Sequence, residues 1–305
     1  MNTLQVTARG GTLPRWKIWW LAARPKTLWV AVSPVLMGMA LAYADGGFHL
    51  PSALVALICA LLIQIGTNLH NDYADYEKGA DTSERKGPLR VTQAGLLSPQ
   101  EVKYATWLVF GVTFLLGLYL VYRGGWIILA IGVLSILSGL WYTGGRYSLA
   151  YLGLADAFVI LFFGIIAVGG TYYVQTLQIS PYVLIAGLGP GLLADAILVV
   201  NNLRDVEEDR KAGKRTLVVR LGTSFARLYY TFCIYGAAFI PVFLFVMTGV
   251  RPWSMLAAAI IFLARPEQSL IRRYRNPRQL NQVLGKTSRL LFIYSILFSL
   301  GQIVS

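Results

Sequence analysis

Two short segments, far apart in the chain, carry most of its acidic side chains. The first, from Ile65 to Arg90, reads I-G-T-N-L-H-N-D-Y-A-D-Y-E-K-G-A-D-T-S-E-R-K-G-P-L-R, and the second, from Asn201 to Arg210, reads N-N-L-R-D-V-E-E-D-R. The first holds five acidic residues and the second holds four, out of fourteen in the whole chain. Each segment directly follows a long apolar run, so both are expected at the ends of apolar elements.

Helical spacing would turn each segment into a stripe of oxygen ligands. Residues three or four apart lie on one face of a helix, which gives two candidate stripes: Asn68, Asp72 and Asp75 in the first segment, and Asn201, Asp205 and Asp209 in the second. Mg²⁺ typically binds through one or two protein carboxylates, with waters and the phosphates of its substrate completing the shell. Two facing stripes therefore predict a magnesium site. The alternative is that each cluster is only the solvated edge of a membrane protein.

Basic residues near these segments would complete a site for a diphosphate. Arginine makes bidentate contacts to phosphate oxygens, and cations beside a metal stabilise a departing diphosphate. The candidates are Arg24, Lys26, Lys78, Arg90 and Arg146. Lys214 and Arg215 follow the second acidic segment, and we interpret them as part of the membrane topology.

The elements that position these residues are predicted to be membrane helices. The chain is 56% hydrophobic and 13% charged, with a mean hydropathy of +0.58, which is typical of a polytopic membrane protein. Cys59 and Cys233 both fall in apolar runs, so a disulfide framework has no support. The absence of a Cys-x-x-Cys spacing argues against zinc and iron–sulfur sites.

Nine apolar runs approach the length that crosses a bilayer as a helix. They are residues 27–44, 52–70, 104–122, 125–143, 150–174, 181–203, 228–250, 253–265 and 290–304. These runs predict an all-α helical bundle that forms a single membrane domain over residues 1–305, in which residues 1–26 are a cytoplasmic, interfacial lead-in rich in Trp and basic residues. A signal peptide is the alternative for the N-terminus, because Ala40-Leu41-Ala42 resembles a cleavage site.

The distribution of basic residues predicts the orientation. With the N-terminus in the cytoplasm, 25 of the 27 Lys and Arg residues lie on the inside, and only Arg123 and Arg251 lie outside. Both acidic segments then face the cytoplasm, and the expected location is a bacterial-type inner or plasma membrane. The net charge of +13 reflects this topology and contact with membrane lipid, so no nucleic-acid partner is expected.

The two acidic segments resemble the signature motifs of the UbiA superfamily of intramembrane prenyltransferases. Asn71-Asp72-Tyr73-Ala74-Asp75 matches the start of the family's N-D-x-x-D-x-x-x-D motif, and Asp205 with Asp209 matches its D-x-x-x-D motif. Arg24 and Arg90 fall at two arginines of the family. The sequence departs from the pattern at Gly79, which replaces the closing Asp and leaves Asp81 as the nearest acid, and at Gly145, which replaces the Lys before Arg146.

Further motifs are similar to one branch, the 1,4-dihydroxy-2-naphthoate polyprenyltransferases of menaquinone synthesis. They are N-D-Y-x-D-x-x-K-G-x-D, then G-P-L-R-x-x-Q-x-G from Gly87 to Gly95, and G-K-x-T-L-V-V-R-L-G from Gly213 to Gly222. The resemblance runs from about Arg24 to Gly222, and the last third of the chain matches only as apolar spans.

The resemblance implies a polyprenyl diphosphate donor, an aromatic acid acceptor that loses CO₂, and two Mg²⁺ ions bridged by the diphosphate. It implies catalytic roles for Asp75, Asp205 and Asp209, and metal contacts from Asn71, Asp72, Asp75, Asp81, Asp205 and Asp209. Candidates for the acceptor or the cavity are Asn68, Tyr142, Asp156 and Asn201. No obligate protein partner is expected. The alternatives are another acceptor, such as 4-hydroxybenzoate, and a membrane transporter, in which the acids would lie at mid-membrane depth.

Overall fold

The computed structural model describes residues 13–79, 86–142 and 149–305, and the regular elements within those ranges are all helical. In chain order they are α1 (Arg15–Ala23), α2 (Pro25–Ala44), α3 (Leu50–Glu77), α4 (Pro99–Gly124), α5 (Trp126–Trp141), α6 (Leu149–Leu152), α7 (Ala155–Thr176), α8 (Pro181–Arg204), α9 (Val206–Lys211), α10 (Leu217–Thr248), α11 (Pro252–Arg273) and α12 (Pro277–Ile303). The predicted all-α class is confirmed.

Proline and a capping box mark where several of these helices begin. Pro25, Pro99 and Pro181 occupy the first position of α2, α4 and α8, where the missing N–H has no partner to lose. Ser98 and Glu101 form a reciprocal capping box at the start of α4. These signals stand directly before apolar runs, so local chemistry and hydropathy agree on the starts of these spans.

Eight of the described helical segments are long and apolar enough to cross a membrane, and the shorter α5 is a further apolar helix. The chain is therefore an integral membrane protein, and the expectation of about nine spans is confirmed. Several predicted spans were too short: α10 begins at Leu217, α11 extends to Arg273 and α12 begins at Pro277. These extensions carry basic residues such as Arg220 and Arg272, which hydropathy excludes from an apolar run.

Helix α8 is the centre of the bundle. Burial covers 78% of its most apolar stretch, against 22% for α4. It packs against α7, α10 and α12, and its Leu193 and Val199 share a buried core with Tyr230 and Tyr294. The end of α8, which begins the second acidic segment, is therefore held inside the protein.

Helices α7 and α8 approach each other through glycine. A π-helical turn, Leu161–Ile166, brings Gly164 so close to α8 that a Cβ there would lie 2.5 Å from the carbonyl oxygen of Gly187. Small residues permit this kind of close contact between membrane helices. The contact fixes the face of α7 that carries Val159 and Phe163, which line the cavities described below.

The first and last spans are neighbours, because α12 packs against α2 as well as against α8 and α11. At the end of the bundle away from the acidic segments, Asp45 accepts a hydrogen bond from Tyr172 at 2.8 Å and pairs with Arg251. Arg123 donates to the carbonyl of Val174 at 2.8 Å. The two basic residues predicted to lie outside thus both join helices at this end.

Candidate active site

The two acidic segments meet in one polar cavity at one end of the bundle. This cavity has a volume of about 270 Å³ and lies between the ends of α2, α3, α8 and α9. Nine of the predicted site residues line it: Arg24, Asn68, Asn71, Asp75, Arg90, Tyr142, Asn201, Asp205 and Asp209. Folding therefore brings the two stripes expected from helical spacing to a common site.

Arg90 brings the end of the first acidic segment back to the cavity wall. Its Nη2 donates to Asp75 Oδ2 at 2.6 Å, and both side chains are buried. Hydrogen bonds between ionised groups are strong and directional. The pair therefore fixes a carboxylate and a guanidinium side by side, which are the two kinds of group that a metal-bound diphosphate requires.

Asp72 has different partners from Asp75. It is buried, and its two oxygens accept the backbone N–H groups of Val91 at 3.1 Å and Thr92 at 3.2 Å. Asp72 does not line the cavity. Its lone pairs hold the turn that follows Arg90, and its predicted contact with metal stays a prediction.

Arg24 lies at the break between α1 and α2. Its backbone is left-handed, with φ of 53°, which is rare for a residue other than glycine and is often found at functional sites. The carbonyl of Arg24 accepts from Thr27 N–H and Oγ1, both at 2.9 Å. Asn68 Nδ2 donates to the Ala23 carbonyl and to Thr27 Oγ1, each at 2.9 Å. Asn68 thus ties α3 to the break and fixes where Arg24 enters the cavity.

Arg204, which sequence reasoning did not select, organises the second acidic segment. Its side chain is 1% exposed and donates to both oxygens of Asp205, at 2.7 and 2.5 Å. It also donates to Asn201 Oδ1 and to Asn281 Oδ1, each at 2.8 Å. An arginine at the end of an otherwise apolar run, next to a motif carboxylate, is the sequence signal that could have identified it.

Asn281, on the last span, contacts both acidic segments. While its Oδ1 accepts from Arg204, its Nδ2 donates to the carbonyl of Lys86 at 2.8 Å. Lys86 Nζ in turn lies 3.3 Å from Glu208 Oε1 in α9. Beyond Gly222 the sequence shows only apolar spans between basic segments, so no motif marks Asn281 as a residue of the site.

Lys214 belongs to the cavity as well. Its Nζ lies 3.2 Å from Asp209 Oδ1. Burial raises the pKa of Asp209 to about 6; Lys214 opposes this shift, while the charges of Asp205 and Asp75 add to it. The interpretation of Lys214 as topology alone is thus incomplete, because its charge holds a carboxylate of the site.

Two basic candidates lie outside the cavity lining. Lys26 is exposed on the first turn of α2. Lys78, just beyond α3, lies within electrostatic reach of the site: partial burial lowers its pKa, Asp75 opposes this, and Lys214 lowers it further. Two other candidates, Asp81 and Arg146, lie outside the described residues.

Asp156 and Asp195 are buried within the spans and do not line the cavity. Asp195 accepts a hydrogen bond from Tyr229 Oη at 2.6 Å, which joins α8 to α10. The hydrogen bond gives this buried acid a partner on a neighbouring helix, as expected for an ionisable group within a membrane span. Asp156 lies near Asp195 and not in the cavity for which it was a candidate.

The donors in the polar cavity suit a divalent cation that is shared with a substrate. Asp75, Asp205 and Asp209 supply only oxygen, and each is paired with a basic side chain. Within the described ranges, no three Asp, Glu, His or Cys side chains are grouped closely enough to hold a metal ion alone. Mg²⁺ needs only one or two protein carboxylates when substrate phosphates complete its shell. The residues present therefore fit Mg²⁺ bound together with a diphosphate.

An apolar cavity of about 240 Å³ adjoins the polar one and is lined mainly by α2, α3, α4, α5 and α7. The two cavities share five lining residues: Gln64, Thr67, Tyr142, Val159 and Phe163. A molecule with a charged head and a long apolar tail would place its head among the acids and its tail between the helices.

Comparison with known proteins identifies a matching family and several similar sequences. The model of the UbiA prenyltransferase family matches residues 31–296. The chain is 38% identical over 296 residues to the 1,4-dihydroxy-2-naphthoate octaprenyltransferase of Haemophilus influenzae, covering 94% of this chain and 96% of that protein. The chain is 37% identical over 303 residues to the Escherichia coli protein of the same name, and the match covers 96% of this chain and 97% of that protein.

A solved structure shares the fold. It is the UbiA homologue from Archaeoglobus fulgidus bound to GPP and Mg²⁺, with a TM-score of 0.66, 15% sequence identity, and coverage of 92% of this chain and 99% of that one.

Proposed function

The chain belongs to the UbiA prenyltransferase family and is an aromatic prenyltransferase, and from this premise we propose its substrates. The donor is a polyprenyl diphosphate, the acceptor is 1,4-dihydroxy-2-naphthoate, and the reaction needs Mg²⁺ and releases CO₂. One observation carries the proposal: a polar cavity with three converging carboxylates opens into an apolar cavity through shared lining residues. The names of the two relatives support the choice of acceptor.

The polar cavity binds the diphosphate. Asp75, Asp205 and Asp209 would hold Mg²⁺, which supplies charge neutralisation to the departing diphosphate when it is bound. Arg24 and Arg90 contact the diphosphate oxygens directly. These charges act in a buried site, where a fixed cation stabilises developing negative charge far better than in water.

The junction of the cavities protects the allylic carbon. As the bond from this carbon to the diphosphate oxygen lengthens, positive charge grows on the prenyl group beside Tyr142 and Phe163. Aromatic faces attract a cation. The apolar lining keeps water from the cation, which would otherwise be trapped as an alcohol.

The acceptor completes the reaction without a dedicated base. The electron-rich ring carbon that carries the carboxylate bonds to the allylic carbon, and the diphosphate leaves with the electron pair of the broken C–O bond. The bond from the ring to the carboxylate then breaks, CO₂ leaves, and its electron pair restores the aromatic ring. No residue of the site is therefore needed to remove a proton from the ring.

We place this chemistry at the cytoplasmic face of a bacterial-type inner or plasma membrane. The polar cavity contains the ends of the two acidic segments, and the sequence pattern assigns 25 of the 27 Lys and Arg residues to the same side of the membrane as these segments. Soluble aromatic acid and Mg²⁺ reach the site from the cytoplasm, and the prenyl chain reaches it from the lipid.

The test supplies purified protein in detergent with Mg²⁺, a polyprenyl diphosphate and carboxyl-labelled 1,4-dihydroxy-2-naphthoate. We expect prenylated product and labelled CO₂ in equal amounts. Asp75→Ala and Asp205→Ala should each reduce the rate by about 100-fold or more, because each removes a charged group from the reacting centre. Glu77→Ala is the matched control, since Glu77 is exposed at the end of the same helix as Asp75 and does not line the cavity.

The acceptor is tested by supplying 4-hydroxybenzoate in the same assay. Faster transfer to that acid than to the naphthoate would contradict the proposed acceptor. Near-native rates in either aspartate variant would contradict the assignment of the site.

A further inference from the structure

The residues shared by the two cavities mark where the donor reacts. If the proposed function holds, the allylic carbon joins the diphosphate in the polar cavity to the chain in the apolar one. It must therefore lie near Gln64 and Thr67 of α3, Tyr142, and Val159 and Phe163 of α7. The ring that attacks this carbon has to bind within contact distance of the same residues.

Gln64 presents an unused hydrogen-bond acceptor at this junction. Its Nε2 is directed to Asn68 Oδ1 at 3.4 Å and to Thr27 Oγ1 at 3.5 Å. Because Asn68 Nδ2 donates elsewhere, Asn68 Oδ1 is the acceptor in this pair, which leaves Gln64 Oε1 facing away. That oxygen is buried, and it has no hydrogen-bond partner among the described residues.

Asn202 presents an unused donor to the polar cavity. It is 5% exposed, and its Nδ2 is buried with no partner in the described part of the chain. Buried polar groups in native proteins are nearly always satisfied, and each exception needs a reason. One unsatisfied acceptor on α3 and one unsatisfied donor on α8, both on the wall of one cavity, are accounted for together by a ligand that carries a hydroxyl and a carboxylate.

We propose that Gln64 and Asn202 form the binding site for the aromatic acid acceptor. Gln64 Oε1 accepts a hydrogen bond from a ring hydroxyl, and Asn202 Nδ2 donates to a carboxylate oxygen. Together they orient the ring toward the allylic carbon.

The neutrality of both amides fits an acceptor that decarboxylates. A carboxylate held by arginine is stabilised as an anion, and that stabilisation is lost when the group becomes neutral CO₂. A neutral amide orients the carboxylate through a weaker bond and opposes its departure less. The arginines of the polar cavity are thereby reserved for the diphosphate, and the two substrates are recognised by different chemistry.

The test measures acceptor binding separately from turnover. Gln64→Met and Asn202→Leu each replace an amide by an apolar side chain of similar size. Each variant loses one hydrogen bond to the acceptor and is therefore expected to raise the KM for 1,4-dihydroxy-2-naphthoate about tenfold. The Kd of the same acid should rise by about the same factor. This Kd is measured by titration in the presence of a non-hydrolysable donor analogue. The KM for the donor should change less than twofold, that is, by roughly 0.4 kcal/mol at most.

Gln175→Met is the matched control. Gln175 is another buried glutamine whose Oε1 has no partner within the described ranges, but it lines neither cavity. It should leave the acceptor Kd unchanged. Because Gln64 and Asn202 lie on different helices, misfolding of one variant, seen as a lost size-exclusion peak, leaves the other to decide.

The outcomes separate this inference from the proposed function. An unchanged acceptor Kd in a folded variant, equal increases in donor and acceptor KM, or absence of acceptor binding by the wild type would each overturn it. If the wild type binds the acid but transfers no prenyl group, the proposed function fails, and the change in Kd still decides the role of the amides.

Discussion

Two aspartates of the first acidic segment, three residues apart on α3, have different hydrogen-bond partners. Asp75 faces the cavity and pairs with Arg90, whereas Asp72 accepts two backbone N–H groups behind it. Their spacing predicts equivalent roles, but only Asp75 keeps its partner within the site. The backbone bonds of Asp72 place Arg90, so we propose that this carboxylate acts on the diphosphate through Arg90.

This division predicts opposite phenotypes for two conservative variants. Asp72→Asn loses a charge-assisted hydrogen bond and should destabilise the protein by roughly 1.5–3 kcal/mol, while the increase in Tm caused by Mg²⁺ with pyrophosphate is retained. Asp75→Asn should largely abolish that increase. Thermal unfolding in detergent, with and without Mg²⁺ and pyrophosphate, measures both effects. Loss of the ligand-dependent increase in Asp72→Asn at an unchanged basal Tm would identify Asp72 as a metal ligand after all.

Asp209 predicts a pH dependence. Burial raises the pKa of this carboxyl to about 6, above its ordinary value of 3.8. The ligand-free folded protein therefore holds a proton that the unfolded chain releases, and its stability falls as pH rises from about 4 through 6. Cation binding requires the ionised form, so metal affinity changes in the opposite direction.

We expect the affinity for Mn²⁺, a spectroscopic substitute for Mg²⁺, to fall about tenfold for each pH unit below 6, as a single proton competes with the metal. The measurement is a titration of free Mn²⁺ by electron paramagnetic resonance between pH 5 and 8, with pyrophosphate present. Asp209→Asn should bind Mn²⁺ weakly with a nearly flat profile. A wild-type profile that is flat across pH 6 would refute the titration of Asp209.

At the scale of elements, the last span takes part in the site through one amide. Asn281 receives a hydrogen bond from Arg204, which holds Asp205, and gives one to Lys86 at the end of the first acidic segment. Both contacts need an amide, because a carboxylate lacks the donor and a hydrocarbon lacks both groups. The helix therefore aligns two segments that it does not adjoin in sequence.

Asn281→Leu is expected to lower kcat by about 10- to 100-fold, as is typical when a residue that orients a metal ligand is lost. The same variant should raise the concentration of Mg²⁺ needed for half-maximal rate. Gln282→Leu is the matched control, because this neighbouring amide is exposed. Steady-state kinetics over a range of Mg²⁺ concentrations makes the measurement. A Mg²⁺ requirement that stays at the wild-type value in Asn281→Leu would contradict the positioning role.

Sequence predicted the order and approximate number of membrane spans better than their ends. The runs at 228–250 and 253–265 locate α10 and α11, but miss residues 217–227 and 266–273. These parts are amphipathic or basic, so hydropathy does not distinguish them from loops. Charged motif residues were identified because acids are rare in this chain, whereas Gln64, Asn202 and Asn281 are ordinary polar residues whose importance depends on which partners folding leaves them.

At the scale of the whole molecule, the apolar cavity should limit the length of the prenyl chain. Gly117, Gly132 and Gly170 line it from three different helices. At Gly117 and Gly132 a Cβ would meet open space. Side chains added there would fill the cavity without displacing a neighbouring helix.

Gly132→Phe is expected to reduce kcat/KM for the longest donors about tenfold relative to a short one, since pocket sterics typically give discrimination of this size. Gly111→Phe on α4 is the control, because a Cβ there also meets open space but the residue is exposed and lines neither cavity. Rates with donors of increasing length give the comparison. Equal losses of kcat/KM for short and long donors would show that the cavity at Gly132 does not limit donor chain length.

The depth of this cavity could not be read from the sequence, because its walls come from five helices that each look like an ordinary apolar span. The polar cavity was more predictable, since its acids occur in two compact segments at matching helix ends. Asp156 illustrates the limit: it was a candidate for the acceptor or the cavity, but it is buried near Asp195 and does not line the polar cavity.

The contact between α12 and α2 also bears on how the protein is made. Asn281 emerges from the ribosome after every residue that lines the polar cavity except Leu284. A nascent chain that has inserted only its earlier spans therefore contains the two acidic segments but lacks the amide that aligns them. Catalytic competence should therefore appear only once translation has finished and the final helix has partitioned into the bilayer. Prematurely terminated products would then be unable to consume isoprenoid or generate reactive carbocations during biogenesis.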